Sequence, residues 1–311
     1  MTAVGGPAPV IRVSDVRKAY GDVRAVDGVS FEVRSGEVFG LLGPNGAGKT
    51  TTVEMLEGLR APDSGGLEVL GIDAARDPGA LKERIGVTLQ TASLYPKLTV
   101  IEILDLFRSF YRHSLPTEQL IGFLDLDERK RAQTRELSGG QRQRLSIALA
   151  LVNDPEVVFL DEPTTGLDPA ARRSLWDLIV GLKTQGKTIL LTTHYLEEAE
   201  VLCDRLAIMD HGKVIAMGTV DDLVNTRFKT RTVRFDRIEG LDDDVLAALP
   251  GVESMKHDEG ATLLYTRDVA GTIGALLAAS DRLGVEPNNL GIRRPSLEDV
   301  FLDLTGRALR D

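Results

Sequence analysis

Gly43-Pro44-Asn45-Gly46-Ala47-Gly48-Lys49-Thr50 matches G-x-x-x-x-G-K-[ST] in full, the spacing of a loop that holds phosphate. Its glycines let backbone N–H groups close around phosphate oxygens, and a helix beginning at Lys49 adds the positive end of its dipole. Lys49 then reaches the β- and γ-phosphates of a nucleoside triphosphate. Thr50 offers a hydroxyl to magnesium, and Thr51-Thr52 carry the chain into the helix. Asp161 and Glu162 close the apolar run Val157-Val158-Phe159-Leu160. At such a strand end Asp161 can hold Mg2+, mostly through water, while Glu162 orients and partly deprotonates an attacking water. Phosphoryl transfer needs positioning and charge neutralisation above all, so Glu162 need not be a strong base.

Leu137-Ser138-Gly139-Gly140-Gln141 has a different chemistry. Two glycines at a helix start expose N–H groups and a dipole end, and Ser138 adds a hydroxyl, which makes a second anion site. One ATP needs only one γ-phosphate site per chain. The second site therefore faces the ATP of another copy, so that two copies sandwich two nucleotides head to tail. Asp168, in Gly166-Leu167-Asp168, is expected at that seam. Gln90, ending a strand before an irregular loop, can contact both magnesium and the water, and His194, after another strand, can donate to the γ-phosphate. Both acquire this meaning only from the motifs around them. Tyr20, before a Gly21-Asp22 turn, either stacks on adenine or is a surface tyrosine.

These residues need a scaffold that ends several strands at one edge. Residues 11–16 and 29–33 read as short alternating strands with turns at Gly21-Asp22 and Asp27-Gly28. An apolar strand over 37–42 runs into the phosphate loop, and a helix over 49–59 leaves it. Further strands are expected at 85–90, 157–161 and 188–192, with helices over 170–182 and from the Thr99-x-x-Glu102 capping box onward. Strands alternating with helices imply a parallel sheet covered on both faces. An antiparallel β subdomain at the start and a helical insert between Ile101 and Lys130 complete this α/β domain, over 11–218. Residues 1–10 read as a disordered tail. Over 219–311 the pattern β-α-β-β-α-β suggests a small ferredoxin-like α+β domain, closed by a helix that Ser296 and Asp299 cap.

The 311 residues are 42% hydrophobic with a formal charge of −10, enough apolar material for a large core in two domains. Residues 219–311 hold 12 basic and 17 acidic side chains, so the acidity is spread through the chain and there is no charged tail. Such a balance disfavours nucleic acid and anionic lipid as partners. The basic run Arg129-Lys130-Arg131 with Arg135 reads as a solvated helix face, since no aromatics interleave with it. Cys203 is the only cysteine, a small buried hydrophobe by expectation, and the four histidines are scattered; no metal other than Mg2+ is expected. The Gly- and Pro-rich start has no leader pattern, and nowhere do about 20 apolar residues run together as a membrane span requires. Any membrane role requires another polypeptide.

Over 11–218 the chain resembles the ATP-binding cassette (ABC) ATPases. Tyr20, Gly43–Thr50, Gln90, Leu137–Gln141, Asp161-Glu162, Gly166-Leu167-Asp168 and His194 stand in that family's order, and P-loop kinases and GTPases lack the Leu-Ser-Gly-Gly-Gln segment. The resemblance implies the P-loop NTPase fold, ATP and Mg2+ as cofactors, and ATP hydrolysis. A finer resemblance, to bacterial multidrug-efflux ATP-binding subunits of the daunorubicin-resistance type, rests on 90–96, Thr193–Ala199 and Arg294–Gly306. It implies a homodimer bound to a separate polytopic permease at the cytoplasmic face of the cell membrane, with Leu94-Tyr95-Pro96 in the groove for a permease helix. Exporters of lipid, polysaccharide or peptide share this pattern. A soluble ABC ATPase acting on DNA or ribosomes would carry two cassettes or a coiled-coil arm, for which the stretch from Thr50 to Leu137 is too short.

Overall fold

The computed structural model describes residues 9–88, 94–238, 240–258, 260–307 and 309. The chain divides into two compact units, with the boundary between Val220 and Asp221. In the first, Pro9–Tyr20 (β1) and Val23–Arg34 (β2) pair antiparallel across the Gly21-Asp22 turn. Pro9 and Val10, expected in a disordered tail, already belong to β1; residues 1–8 lie outside the described residues. Asp27 and Gly28, expected as a turn, sit inside β2. Arg17 pairs with Asp27 and Val16 with Val29, which leaves Gly28 as an extra residue in the register. Its φ of +79° requires glycine, and a bulge shares that requirement with a turn.

Val38–Leu42 (β3) leads through the phosphate loop into Lys49–Leu56 (α1). Ser64–Val69 (β4) and Ile72–Asp73 (β5) extend the first sheet, in the order β2-β1-β4-β5. After Pro78–Lys82 (α2) comes Ile85–Thr88 (β6). Val100–Arg108 (α3), Thr117–Phe123 (α4) and Gly139–Ala150 (α5) form the helical part, with α3 opened by the expected Thr99–Glu102 capping box. The basic run at 129–131 is exposed as expected, but it begins on the last residue of the 3-10 turn Asp127–Arg129 and runs out of it rather than lining an α-helix. Val157–Asp161 (β7), Pro169–Thr184 (α6), Thr188–Thr193 (β8), Leu196–Leu202 (α7), Arg205–Asp210 (β9) and Lys213–Gly218 (β10) follow. Val220–Arg227 (α8) begins at the unit boundary.

The second sheet has the order β10-β9-β3-β8-β7-β6, parallel throughout except for the antiparallel edge pair β9–β10. Its central strands are buried on both faces, and the two-residue period of a strand splits their side chains between two cores. Val38, Val158, Leu160, Ile189 and Leu191 face the helical side with Leu145 and Trp176. Phe39, Leu41, Val157, Phe159 and Leu190 face the antiparallel sheet with Phe31 and α1's Val53. Phe31 and Phe39 stack with ring centroids 5.3 Å apart, clamping one sheet on the other. Cys203 is half-buried, and a Cβ at Gly40 would lie 2.6 Å from its sulfur, so a bare backbone at 40 makes room for it. Among the described residues no helix is long and apolar enough to cross a membrane.

The second unit contains Arg231–Asp236 (β11), Asp243–Ala247 (α9), Val252–Asp258 (β12), Ala261–Thr266 (β13), Val269–Leu283 (α10), Gly291–Arg293 (β14) and Leu297–Thr305 (α11). Its strands lie in the order β12-β13-β11-β14 with every neighbouring pair antiparallel, the β-α-β-β-α-β arrangement of a ferredoxin-like unit. Val233, Phe235, Leu246, Leu264 and Leu276 make its separate core. Ser296 caps α11, which buries Val300 and Phe301.

Candidate nucleotide site

The phosphate loop leaves β3 at the edge where β7 and β8 also end. Its path is fixed by glycine. A Cβ at Gly43 would stand 2.3 Å from the carbonyl oxygen of Met209, and one at Gly48, where φ is +98°, would stand 2.2 Å from that of Ala25. Gly43 N–H donates to Thr193 O at 3.2 Å, and Gly212 N–H donates to Ala47 O at 3.1 Å. The loop is thus held from both sides by β8 and by the β9–β10 hairpin. Asn45 and Gly46 are exposed at its tip, and Pro44, Thr50 and Thr51 are half-buried.

Lys49 crosses the loop. Its side chain is 4% exposed, and Nζ donates to Gly43 O at 2.7 Å and Pro44 O at 3.2 Å. It lies 3.5 Å from Glu162 Oε1. Burial lowers the Lys49 pKa, with the charges of Glu162 and Asp161 opposing. The Thr50 hydroxyl is 3.3 Å and 3.4 Å from the two Asp161 carboxyl oxygens, and Thr192 donates to Asp161 from the next strand. Burial raises the Asp161 pKa; the Thr192 bond opposes this, the neighbouring Glu162 charge adds to it, and Thr50 and Lys49 oppose it. The Thr50 hydroxyl and the Asp161 carboxylate form a set of hard oxygen donors, the chemistry that suits Mg2+.

Glu162 takes φ = +46°, a left-handed backbone that non-glycine residues enter at a cost of about 1 kcal/mol or more. The fold holds it there through its N–H, which donates to Thr192 O at 3.2 Å and Thr192 Oγ1 at 3.0 Å. This turns its carboxylate back over the loop, where Lys49 and His194 both reach it. His194 Nδ1 is 3.3 Å from Glu162 Oε1, close enough for an ion pair but not aligned as a hydrogen bond. Thr165 donates to Glu162 Oε2 at 3.3 Å.

Ser138, Gly139, Gly140 and Gln141 form a second group. Ser138 caps α5 in a reciprocal box with Gln141, the two bonds measuring 2.9 Å and 3.2 Å. A Cβ at Gly140 would come 3.1 Å from that of Ala171 in α6, so this turn packs on the start of that helix. Asp168 caps α6, accepting from Ala170 and Ala171 N–H at 3.0 Å and 2.9 Å. Among the described residues no hydrogen bond or ion pair joins Ser138–Gln141 to the phosphate loop. Tyr20 is 42% exposed at the end of β1, with Lys18 Nζ 5.8 Å and the Arg60 guanidinium 5.6 Å from its ring centre. Gln90 lies outside the described residues.

Two contributors escaped the sequence reading. Thr192 serves both Asp161 and Glu162, and Thr165 holds Glu162; a hydroxyl inside the apolar run Ile189-Leu190-Leu191-Thr192 was the available signal for the first.

Residues 26–165 match the ABC transporter family. The chain is 41% identical to a Nod factor export ATP-binding protein I of Ralstonia nicotianae, over 98% of this chain and 97% of that protein. It is also 41% identical to the daunorubicin resistance ATP-binding protein DrrA3 of Streptomyces coeruleorubidus, over 95% of this chain and 96% of that one. Among solved structures, a dimeric ATP-binding cassette in a post-hydrolysis state with ADP and Pi superposes with a TM-score of 0.61 at 27% identity, covering 67% of this chain and 98% of that one. This chain belongs to the ABC transporter ATP-binding proteins, the ATPases that couple nucleotide hydrolysis to transport.

Proposed function

We propose that this protein energises a drug-efflux exporter, two copies closing on two ATP at the cytoplasmic face of the membrane to drive separate permease subunits. The observation that carries the reading is the Glu162 carboxylate, with Lys49 at 3.5 Å and His194 at 3.3 Å on one strained strand end. In this reading Lys49 and the loop N–H groups from Gly43 to Thr51 hold the phosphates, and Tyr20 supports the adenine. Thr50 and Asp161 hold Mg2+, which neutralises phosphate charge, with Gln90 as a further ligand. Glu162 orients the attacking water and takes up its proton, and His194 donates to the γ-phosphate. Ser138, Gly139, Gly140 and Gln141 meet the ATP of the other copy, and Asp168 lies at the seam.

Export draws support from two relatives named for export and for drug resistance, and a dimer from the dimeric cassette among the similar structures. Drugs are the cargo we propose; lipid, polysaccharide or peptide are the alternatives. The test is Glu162→Gln in Mg2+·ATP. It should retain nucleotide, lose turnover by orders of magnitude and elute as a dimer. A variant that stays monomeric, or that turns over ATP as the wild type does, refutes the site assignment. Co-expression with its permease should raise daunorubicin tolerance, and the Glu162→Gln form should abolish the gain.

A further inference from the structure

Six buried polar side-chain atoms have no hydrogen-bond partner among the described residues, and four of them belong to Thr164, Arg172, His194 and Glu198. These four side chains share one neighbourhood. Glu198 is completely buried on α7, four residues after His194 in sequence. Its Oε1 accepts from Trp176 Nε1 of α6 at 3.3 Å, while no donor among the described residues is aligned on its Oε2. Burial raises the Glu198 pKa, and the Thr193, Thr164 and Trp176 donors and the Arg172 charge oppose it in part. Arg172 in turn covers the Tyr195 ring at 4.6 Å, and that ring is 4.2 Å from the imidazole of His194.

The three segments that meet here are those of the ATP site. Thr164 and Thr165 follow Glu162, Asp168 caps α6, and Thr193 precedes His194. A buried carboxyl with one aligned donor is under-satisfied, and closing the remaining bonds is worth more there than at a surface. A half-made network between elements that must move suits two discrete arrangements better than one.

We propose that Glu198 is a positioning residue for ATP hydrolysis: its buried carboxyl ties the His194 segment to the helix that Asp168 caps, so the two move as one when the dimer closes. This rests on the two-copy ATPase reading above. Trp176 is the only tryptophan in the chain and bonds directly to Glu198, so its emission reports the latch.

The experiment compares full-length wild type, Glu198→Gln and Arg172→Lys. The first substitution keeps shape and an acceptor for Trp176 but replaces the carboxyl by an amide that cannot ionise. The second keeps a charge but removes the flat guanidinium, and it carries the test should the first fail to fold. We expect kcat for ATP to fall about tenfold in each, with KM within about twofold and the melting temperature little changed. The Trp176 emission change on adding Mg2+·ATP should shrink, and the double variant should be no worse than either single one, because both break one latch. A wild-type kcat in both variants overturns the proposal, as does a loss confined to KM or tracking a lowered melting temperature. A wild type without ATP turnover removes the two-copy reading as well; turnover in the wild type with unaffected variants removes only the role of Glu198.

Discussion

Replacing Glu57 with Gln isolates a carboxyl that the fold keeps out of water just past α1. Glu57 is 5% exposed, and burial, helped by the charges of Asp161 and Glu54, raises its pKa from 4.5 to about 8. Between those values the folded chain keeps a proton that the unfolded chain has already released. Stability from this group is therefore complete below pH 4.5, falls as pH rises toward 8, and levels off above that. Each tenfold change in proton affinity corresponds to about 1.4 kcal/mol, so at pH 7 the wild type carries a penalty of about 3 kcal/mol. Gln has no proton to lose and should escape it. Urea unfolding followed by Trp176 emission reads the unit that holds Glu57. The variant should match the wild type near pH 4.5 and exceed it by about 3 kcal/mol at pH 7. A difference that does not change with pH, or a wild type that is the more stable at pH 8, would refute the argument.

Gly48→Ala should destabilise the first unit by about 2 kcal/mol or more and weaken ATP binding, since it combines a left-handed backbone with a clash on Ala25 O; melting curves and nucleotide titration read both effects. Ser138→Arg should leave single-chain ATP binding within a few-fold while turnover collapses; normal turnover would remove the shared site. Tyr95→Glu changes a side chain that is 57% exposed, so the fold should persist while co-purification with a permease is lost. Unchanged co-purification would take Tyr95 out of the permease groove.

Local signals carried most of the elements. The range of β7 stands as the sequence has it, and the capping boxes at Thr99 and Ser296 mark the starts of α3 and α11. Strands β4 and β5 went unread because Ser64-Gly65-Gly66 has a loop's composition; pairing with β1, far away in sequence, makes a strand of it. Strands β9 and β10 were missed for a similar reason, since their pairing and their place beside β3 are tertiary. Gly28 shows the converse, a positive φ that sequence cannot divide between turn and bulge. For the site, residue types were legible but proximity was not. That Glu162 meets both Lys49 and His194 follows from β3, β8 and β7 lying side by side, an order that no local pattern encodes.

The left-handed backbone at Glu162 sets stability and chemistry against each other at one position. Asn or Gly accepts that conformation more readily than Glu does, so either should make the protein harder to melt while leaving no carboxylate to receive a proton. A screen for heat resistance alone would drift toward such replacements and silence the motor; retaining glutamate there requires selection on work done.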